Sequence, residues 1–137
     1  MEISCNFLWV EWSTNDPNSA EVIAAKERIS KYTKNDWSDM SIEATEMVNY
    51  LGNLVNNNVS INDLKAEKGF DLFVEHFFKW FFPISTKYTL RLSTVIKFDP
   101  DYTKFFDQFN PGLANYMNKL LQKYAHKVDT GFYAKNN

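Results

Sequence analysis

The chain has little of the chemistry that marks disulfide-linked, zinc-binding or nucleic-acid-binding proteins. Its single cysteine, Cys5, cannot form an internal disulfide, and one cysteine excludes zinc sites built on several thiolates. Fifteen lysines and arginines against seventeen acidic residues give a formal net charge of −2, and no basic stripe is present. We therefore expect no direct binding to nucleic acid, because phosphate backbones attract strongly basic surfaces.

Long hydrophobic runs and chain breakers are also scarce. No stretch of 18 apolar residues occurs, so we expect no transmembrane helix and no membrane partner. The start, MEISCNFLWVEW, lacks the basic region and small-residue cleavage site of a secretory signal, which makes a cytoplasmic protein the expectation. Only four glycines and four prolines are present, which disfavours a β fold with many turns.

The abundant signal is apolar residues spaced three and four apart. The clearest example runs from Trp37 to Val55 and follows Thr33 and Asp36, a capping-box pair. Six such helices and no convincing strand predict an all-α fold, a single globular domain with globin-like crossed packing. We expect a helical domain over residues 18–128, a flexible apolar segment over 1–17 and a frayed tail over 129–137.

Aromatic residues make up 17% of the chain and concentrate in the stretch VEHFFKWFF, residues 74–82. On a helical wheel the apolar residues of this region cover about 200°, twice the stripe of a surface helix. This predicts a central helix with neighbours on more than one side. We expect Phe73, Phe78 and Phe82 to pack in the core. One edge, formed by His76, Phe77 and Trp80, is expected to face a cavity, because small-molecule sites are mainly aromatic with a few polar groups.

Catalytic and cofactor chemistry finds little support in the sequence. No G-x-S-x-G, H-E-x-x-H or glycine-rich phosphate loop is present, so we expect no enzyme and no catalytic residues. A lone histidine such as His76 is weak evidence for a haem ligand. Carboxylates that share a helix face are usually solvated, so we expect neither a metal site nor a cofactor from Asp36, Asp39 and Glu43, or from Asp71 and Glu75.

Two separated motifs carry a family resemblance: KYTKNDW at residues 31–37 and DPDYTKFFDQFNPGLANYM at residues 99–117. Their order and separation resemble the TipAS antibiotic-recognition domain, the effector-binding module of certain transcriptional regulators of the MerR family. The resemblance covers residues 18 to about 126. It implies a globin-like helical fold without haem that recognises bulky, aromatic, largely apolar antibiotics such as thiopeptides, in a cleft across the helical core. It also implies that binding orders a flexible N-terminal portion.

From these observations we expect non-catalytic sensing or sequestration of a hydrophobic, aromatic-rich small molecule. The predicted ligand-binding residues lie on the second to fourth helices and in the apolar N-terminal segment, which would close over the ligand. They are Trp37, Met40, His76, Phe77, Trp80 and Tyr88 in the wall, and Trp9 and Trp12 in the closing segment.

The sequence also departs from the family. It contains neither a helix-turn-helix segment nor a long coiled coil, so we expect the domain to stand alone. Family members that capture thiopeptides covalently use a cysteine just after the third helix, where this chain has Pro83, Ile84 and Ser85. Two alternatives stay open: a protein-interaction module whose apolar N-terminal segment docks on a partner or on a second copy as a weak homodimer, and a carrier of haem or another cofactor.

Overall fold

Six α-helices form the structure, a computed structural model that describes residues 18–81, 83–131 and 133. They are α1 (Ala20–Ile29), α2 (Lys34–Asn56), α3 (Leu64–Trp80), α4 (Thr86–Phe98), α5 (Pro100–Asp107) and α6 (Leu113–Tyr124), followed by a 3-10 segment, Ala125–Thr130. No strand occurs within the described ranges. The predicted all-α domain of six helices is thereby confirmed for this part of the chain, whereas its globin-like packing stays a prediction. None of the described helices is long and apolar enough to cross a membrane.

Side chains fix the starts of most helices. Thr33 and Asp36 form the predicted reciprocal cap of α2: the Thr33 hydroxyl accepts from the Asp36 N–H at 3.2 Å and Asp36 accepts from the Thr33 N–H at 2.9 Å. Asp99 caps α5, and Pro100 occupies its first turn. These caps satisfy N–H groups that have no partner inside the helix.

Helix α6 is the element with the most helix neighbours. It packs against α2, α3, α4 and α5, and the 3-10 segment continues it. The aromatic-rich helix α3 packs against α2 and α6, so the prediction of neighbours on more than one side is confirmed. Both helices bury several side chains completely, among them Phe70, Phe73 and Phe77 on α3 and Met117 and Leu120 on α6.

Helices α2 and α3 approach each other closely at Gly69. A Cβ atom at this position would come within 2.8 Å of Leu51 Cδ2 and 3.2 Å of Leu54 Cδ1. Glycine is kept inside α3 despite its low helix propensity because the neighbouring helix takes the space of a side chain. This crossing sets the distance between the two helices that carry the candidate site.

The chain after α6 continues to pack on the domain. Tyr133 lies within the segment predicted to be frayed, but its side chain is fully buried, with ring contacts to Phe70 and Phe78. Its hydroxyl donates to Asp71 Oδ1 at 2.6 Å, and Lys127 Nζ donates to the same oxygen at 2.8 Å. The side of α3 that carries Asp71 is therefore covered by an ion-paired cluster and is not the solvated face that the sequence predicted.

Candidate functional site: an aromatic corner at the end of α3

Three rings from different parts of the chain meet where the α1–α2 connection passes the C-terminal end of α3. Tyr32 contacts Trp37 edge-on, with ring centroids 5.7 Å apart, and Trp80 in the same manner at 5.6 Å. Tyr32 and Trp37 are half-buried, whereas Trp80 is 7% exposed. We name Tyr32, Trp37 and Trp80 the aromatic corner. Its perpendicular ring contacts match the arrangement that aromatic quadrupoles favour.

The C-terminal end of α3 is held by side chains from outside that helix. Arg28 Nη1 donates to the Phe78 carbonyl at 3.0 Å, and Arg28 Nη2 donates to the Lys79 carbonyl. The Tyr32 hydroxyl donates to the Trp80 carbonyl. The last carbonyls of a helix have no partner inside it and carry partial negative charge, so a guanidinium is well suited there. The α1–α2 connection is thus tied to α3 directly beside the aromatic corner.

Glu43 of α2 accepts three hydrogen bonds from one face of α3. Its Oε1 lies 2.9 Å from His76 Nδ1 and 3.1 Å from Trp80 Nε1, and its Oε2 accepts from Lys79 Nζ at 2.9 Å. Lys79 and Trp80 follow His76 by three and four residues, so both lie one helical turn beyond it, near the side of α3 that faces Glu43. We name Glu43 with these three partners the Glu43 cluster.

Glu43 is ionised over the whole range in which the protein would function. Partial burial alone would raise the pKa of its carboxyl group, but hydrogen bonds and charges from His76 and Lys79 outweigh burial and lower this pKa to about 2. Lys79 Nζ also lies 5.0 Å from the centroid of the Trp80 ring, within the range of a cation–π contact. The aromatic corner therefore lies beside two opposite charges, the carboxylate of Glu43 and the ammonium group of Lys79.

A buried cluster of aromatic rings lies next to the corner on α3. The Phe77 ring lies between Phe73 at 5.1 Å and Phe81 at 5.5 Å, and it contacts His76 edge-on at 6.4 Å. Phe73 and Phe77 have no exposed surface, and Phe81 is 1% exposed. Packed rings of this kind give the corner a rigid base.

A profile comparison identifies the family. The sequence profile of the TipAS antibiotic-recognition domain matches residues 11–124 of the 137-residue chain. The chain belongs to the TipAS family. TipAS domains are non-catalytic binding domains, and the matched region contains the whole aromatic corner and the Glu43 cluster. Comparisons with characterised proteins and with solved structures gave no significant match.

The structure brings together some of the residues predicted for the TipAS ligand site. Trp37 and Trp80 meet through Tyr32, and His76 joins Trp80 through Glu43. The other predicted positions are distributed as follows: Met40 and Phe77 are fully buried in the core, Tyr88 is half-buried in the first turn of α4, and Trp9 and Trp12 lie outside the described residues. That any of these eight residues binds a ligand stays a prediction.

Sequence reasoning missed three residues of this site: Tyr32 in the aromatic corner, and Arg28 and Glu43, which hold the end of α3 beside it. Tyr32 lies in the first family motif, but nothing in that motif indicates its two ring contacts. In the sequence, Arg28 cannot be distinguished from the other charged residues of a short helix. Glu43 was assigned to a solvated face together with Asp36 and Asp39, and the structure corrects this assignment because Glu43 is turned toward α3. Its spacing of three residues from the buried Met40 was the available signal.

Among the described residues, no group of three or more histidine, cysteine or acidic side chains could hold a metal ion.

Proposed function

We propose that this TipAS domain binds a bulky, hydrophobic, aromatic small molecule of the thiopeptide class, without catalysis, and that the aromatic corner is part of the wall that contacts the ligand. The observation that carries the proposal is the set of two half-buried rings, Tyr32 and Trp37, that stand perpendicular to one another beside Trp80. Partly open aromatic surface with few polar groups is typical of small-molecule sites.

The stretch predicted to close over the ligand, residues 1–17, precedes α1, and Tyr32 and Trp37 of the corner follow this helix. The family match begins at residue 11, ahead of α1, so the family pattern includes part of that stretch. Trp9 and Trp12 are proposed to close over the ligand. The absence of a cysteine at Pro83, Ile84 and Ser85 favours reversible binding over covalent capture at that place.

Tryptophan fluorescence tests this proposal. We expect titration with a panel of thiopeptides to give a saturable change in emission and a rise in melting temperature. A ligand at 100 times its Kd stabilises the folded state by about 2.7 kcal/mol. Trp37→Ala should weaken binding, because it removes a half-buried ring from the corner. Phe98→Ala, which removes a ring that is 70% exposed on α4, is the matched control and should bind as the parent does.

Flat titrations across the panel, with no change in melting temperature, would contradict the proposal. The alternative, a protein-interaction module that uses residues 1–17, rests on residues outside those described. It predicts a different result: sedimentation would show self-association that is lost when residues 1–15 are removed, with no response to thiopeptides.

A further inference from the structure

We infer that Glu43 is a positioning residue for the binding site, since it holds the Trp80 indole in the orientation that completes the aromatic corner. This inference rests on the proposed function in one respect only, namely that the corner contacts the ligand. The hydrogen bond from Trp80 Nε1 to Glu43 Oε1, at 3.1 Å, joins residues 37 positions apart on different helices.

Trp80 is fixed at both its ends. Its backbone carbonyl accepts from the Tyr32 hydroxyl, and its ring nitrogen donates to Glu43. Rotation of the indole about its side-chain bonds would break the bond to Glu43 and the perpendicular contact with Tyr32. Pre-organised aromatic surface lowers the entropy cost of binding, so loss of this restraint weakens binding even when the domain stays folded.

The need of buried N–H groups for an acceptor explains only two of the three hydrogen bonds to Glu43. His76 and Trp80 are almost fully buried, and their N–H groups need an acceptor for that reason alone. Lys79 is different, because its side chain is 56% exposed and its ammonium group reaches water. The third bond to Glu43 instead keeps this cation beside the Trp80 ring. The arrangement thus restrains both the ring plane and the charge next to it.

A glutamate is the residue that suits this role. A carboxylate accepts on two oxygens at once, and Glu43 divides them between the buried pair and Lys79. Its low pKa keeps both oxygens available as acceptors near neutral pH. A glutamine presents one acceptor and carries no charge, so it can keep only part of the cluster.

The experiment compares Glu43→Gln and Glu43→Ala with Glu46→Gln, an exposed position on the same helix, all in the full chain. The first readout needs no ligand: the Trp80 indole N–H resonance in a proton–nitrogen correlation spectrum, assigned with Trp80→Phe. The second is the Kd for a thiopeptide that binds the parent chain, at a temperature where circular dichroism shows each variant folded. Trp80→Phe combined with Glu43→Gln completes a double-mutant cycle.

We expect Glu43→Gln to shift the indole resonance and to raise Kd about tenfold, since Trp80 then faces a neutral acceptor and the bond from Lys79 is lost. Glu43→Ala should have the larger effect, and Glu46→Gln should change neither readout. The variant that combines Trp80→Phe with Glu43→Gln should have a Kd no higher than that of the single variant with the higher Kd. A purely structural role would lower the melting temperature of Glu43→Gln without changing Kd, and that result would overturn the inference, as would an unchanged indole resonance in Glu43→Ala, which has no acceptor. If the parent chain binds no thiopeptide, the proposed function is refuted, and the indole resonance alone decides whether Glu43 orients Trp80.

Discussion

Truncation of Tyr133 tests whether the end of the described chain contributes to the folded state. Its ring has no exposed surface and contacts Phe70 and Phe78, and replacing a buried aromatic residue by alanine costs about 3–5 kcal/mol. We expect the low end, about 3 kcal/mol, for Tyr133→Ala, because its ring neighbour Phe78 is only half-buried and can partly fill the space. Tyr133→Phe removes only the bond to Asp71, which keeps Lys127, so we expect about 1.5 kcal/mol.

Urea denaturation followed by circular dichroism measures both changes. Phe98→Ala is the control, since its ring is 70% exposed and its loss should cost less than about 0.5 kcal/mol. A Tyr133→Ala variant as stable as this control would refute the reasoning, because it would mean that the ring is not buried in solution. If Tyr133→Phe and Tyr133→Ala lower the unfolding free energy equally, the separate contributions expected from the ring and the hydroxyl are refuted.

Two further predictions concern charged side chains. The folded pKa of Glu43, about 2, lies below its ordinary value of 4.5, so its contribution to stability is present above pH 4.5 and is lost as the pH falls toward 2. Urea denaturation measures the difference in unfolding free energy between the parent chain and Glu43→Gln. Between pH 6 and pH 2.5 this difference should shrink by about 1–2 kcal/mol, a value reduced for solvent screening of the partly exposed carboxyl group. A difference that stays constant with pH would contradict the prediction. Asp107 accepts from the Ala114 N–H at 2.9 Å and replaces the missing side-chain cap at Gly112, so Asp107→Ala should cost about 1 kcal/mol by thermal denaturation. Glu46→Ala, an exposed change in the middle of α2, should retain the parent stability if this assignment is right.

The sequence predicts the helices well because local signals determine where they form. The reciprocal cap of Thr33 and Asp36 was correctly placed, since it acts within one helical turn, and the Asp99–Pro100 pair at the start of α5 is an equally local signal. The start of α3 was less well defined: Asp63 is its cap, although Ser60 and Asn62 have equally suitable side chains. Three polar residues in a short stretch offer competing caps, and the choice depends on packing further along the helix.

The candidate site was harder to predict, because its contacts join residues far apart in sequence. Trp37 and Trp80 could be recognised as aromatic residues on the right helices, but their shared contact is Tyr32, in the loop between α1 and α2. Glu43 resembles its acidic neighbours in sequence and differs from them only in facing α3. Tyr133 could not be distinguished from an exposed tail residue, since no periodic pattern surrounds it.

The position of α6 has a consequence for the order in which the domain can fold. Helices α2, α3, α4 and α5 each pack against α6, which is made after all of them as the chain grows from its N-terminus. Until residues 113–124 have left the ribosome, the apolar faces that these four helices turn toward α6 have no partner. The nascent chain must therefore expose this aromatic and aliphatic surface until α6 emerges, and the part of the core built on α6 can close only then.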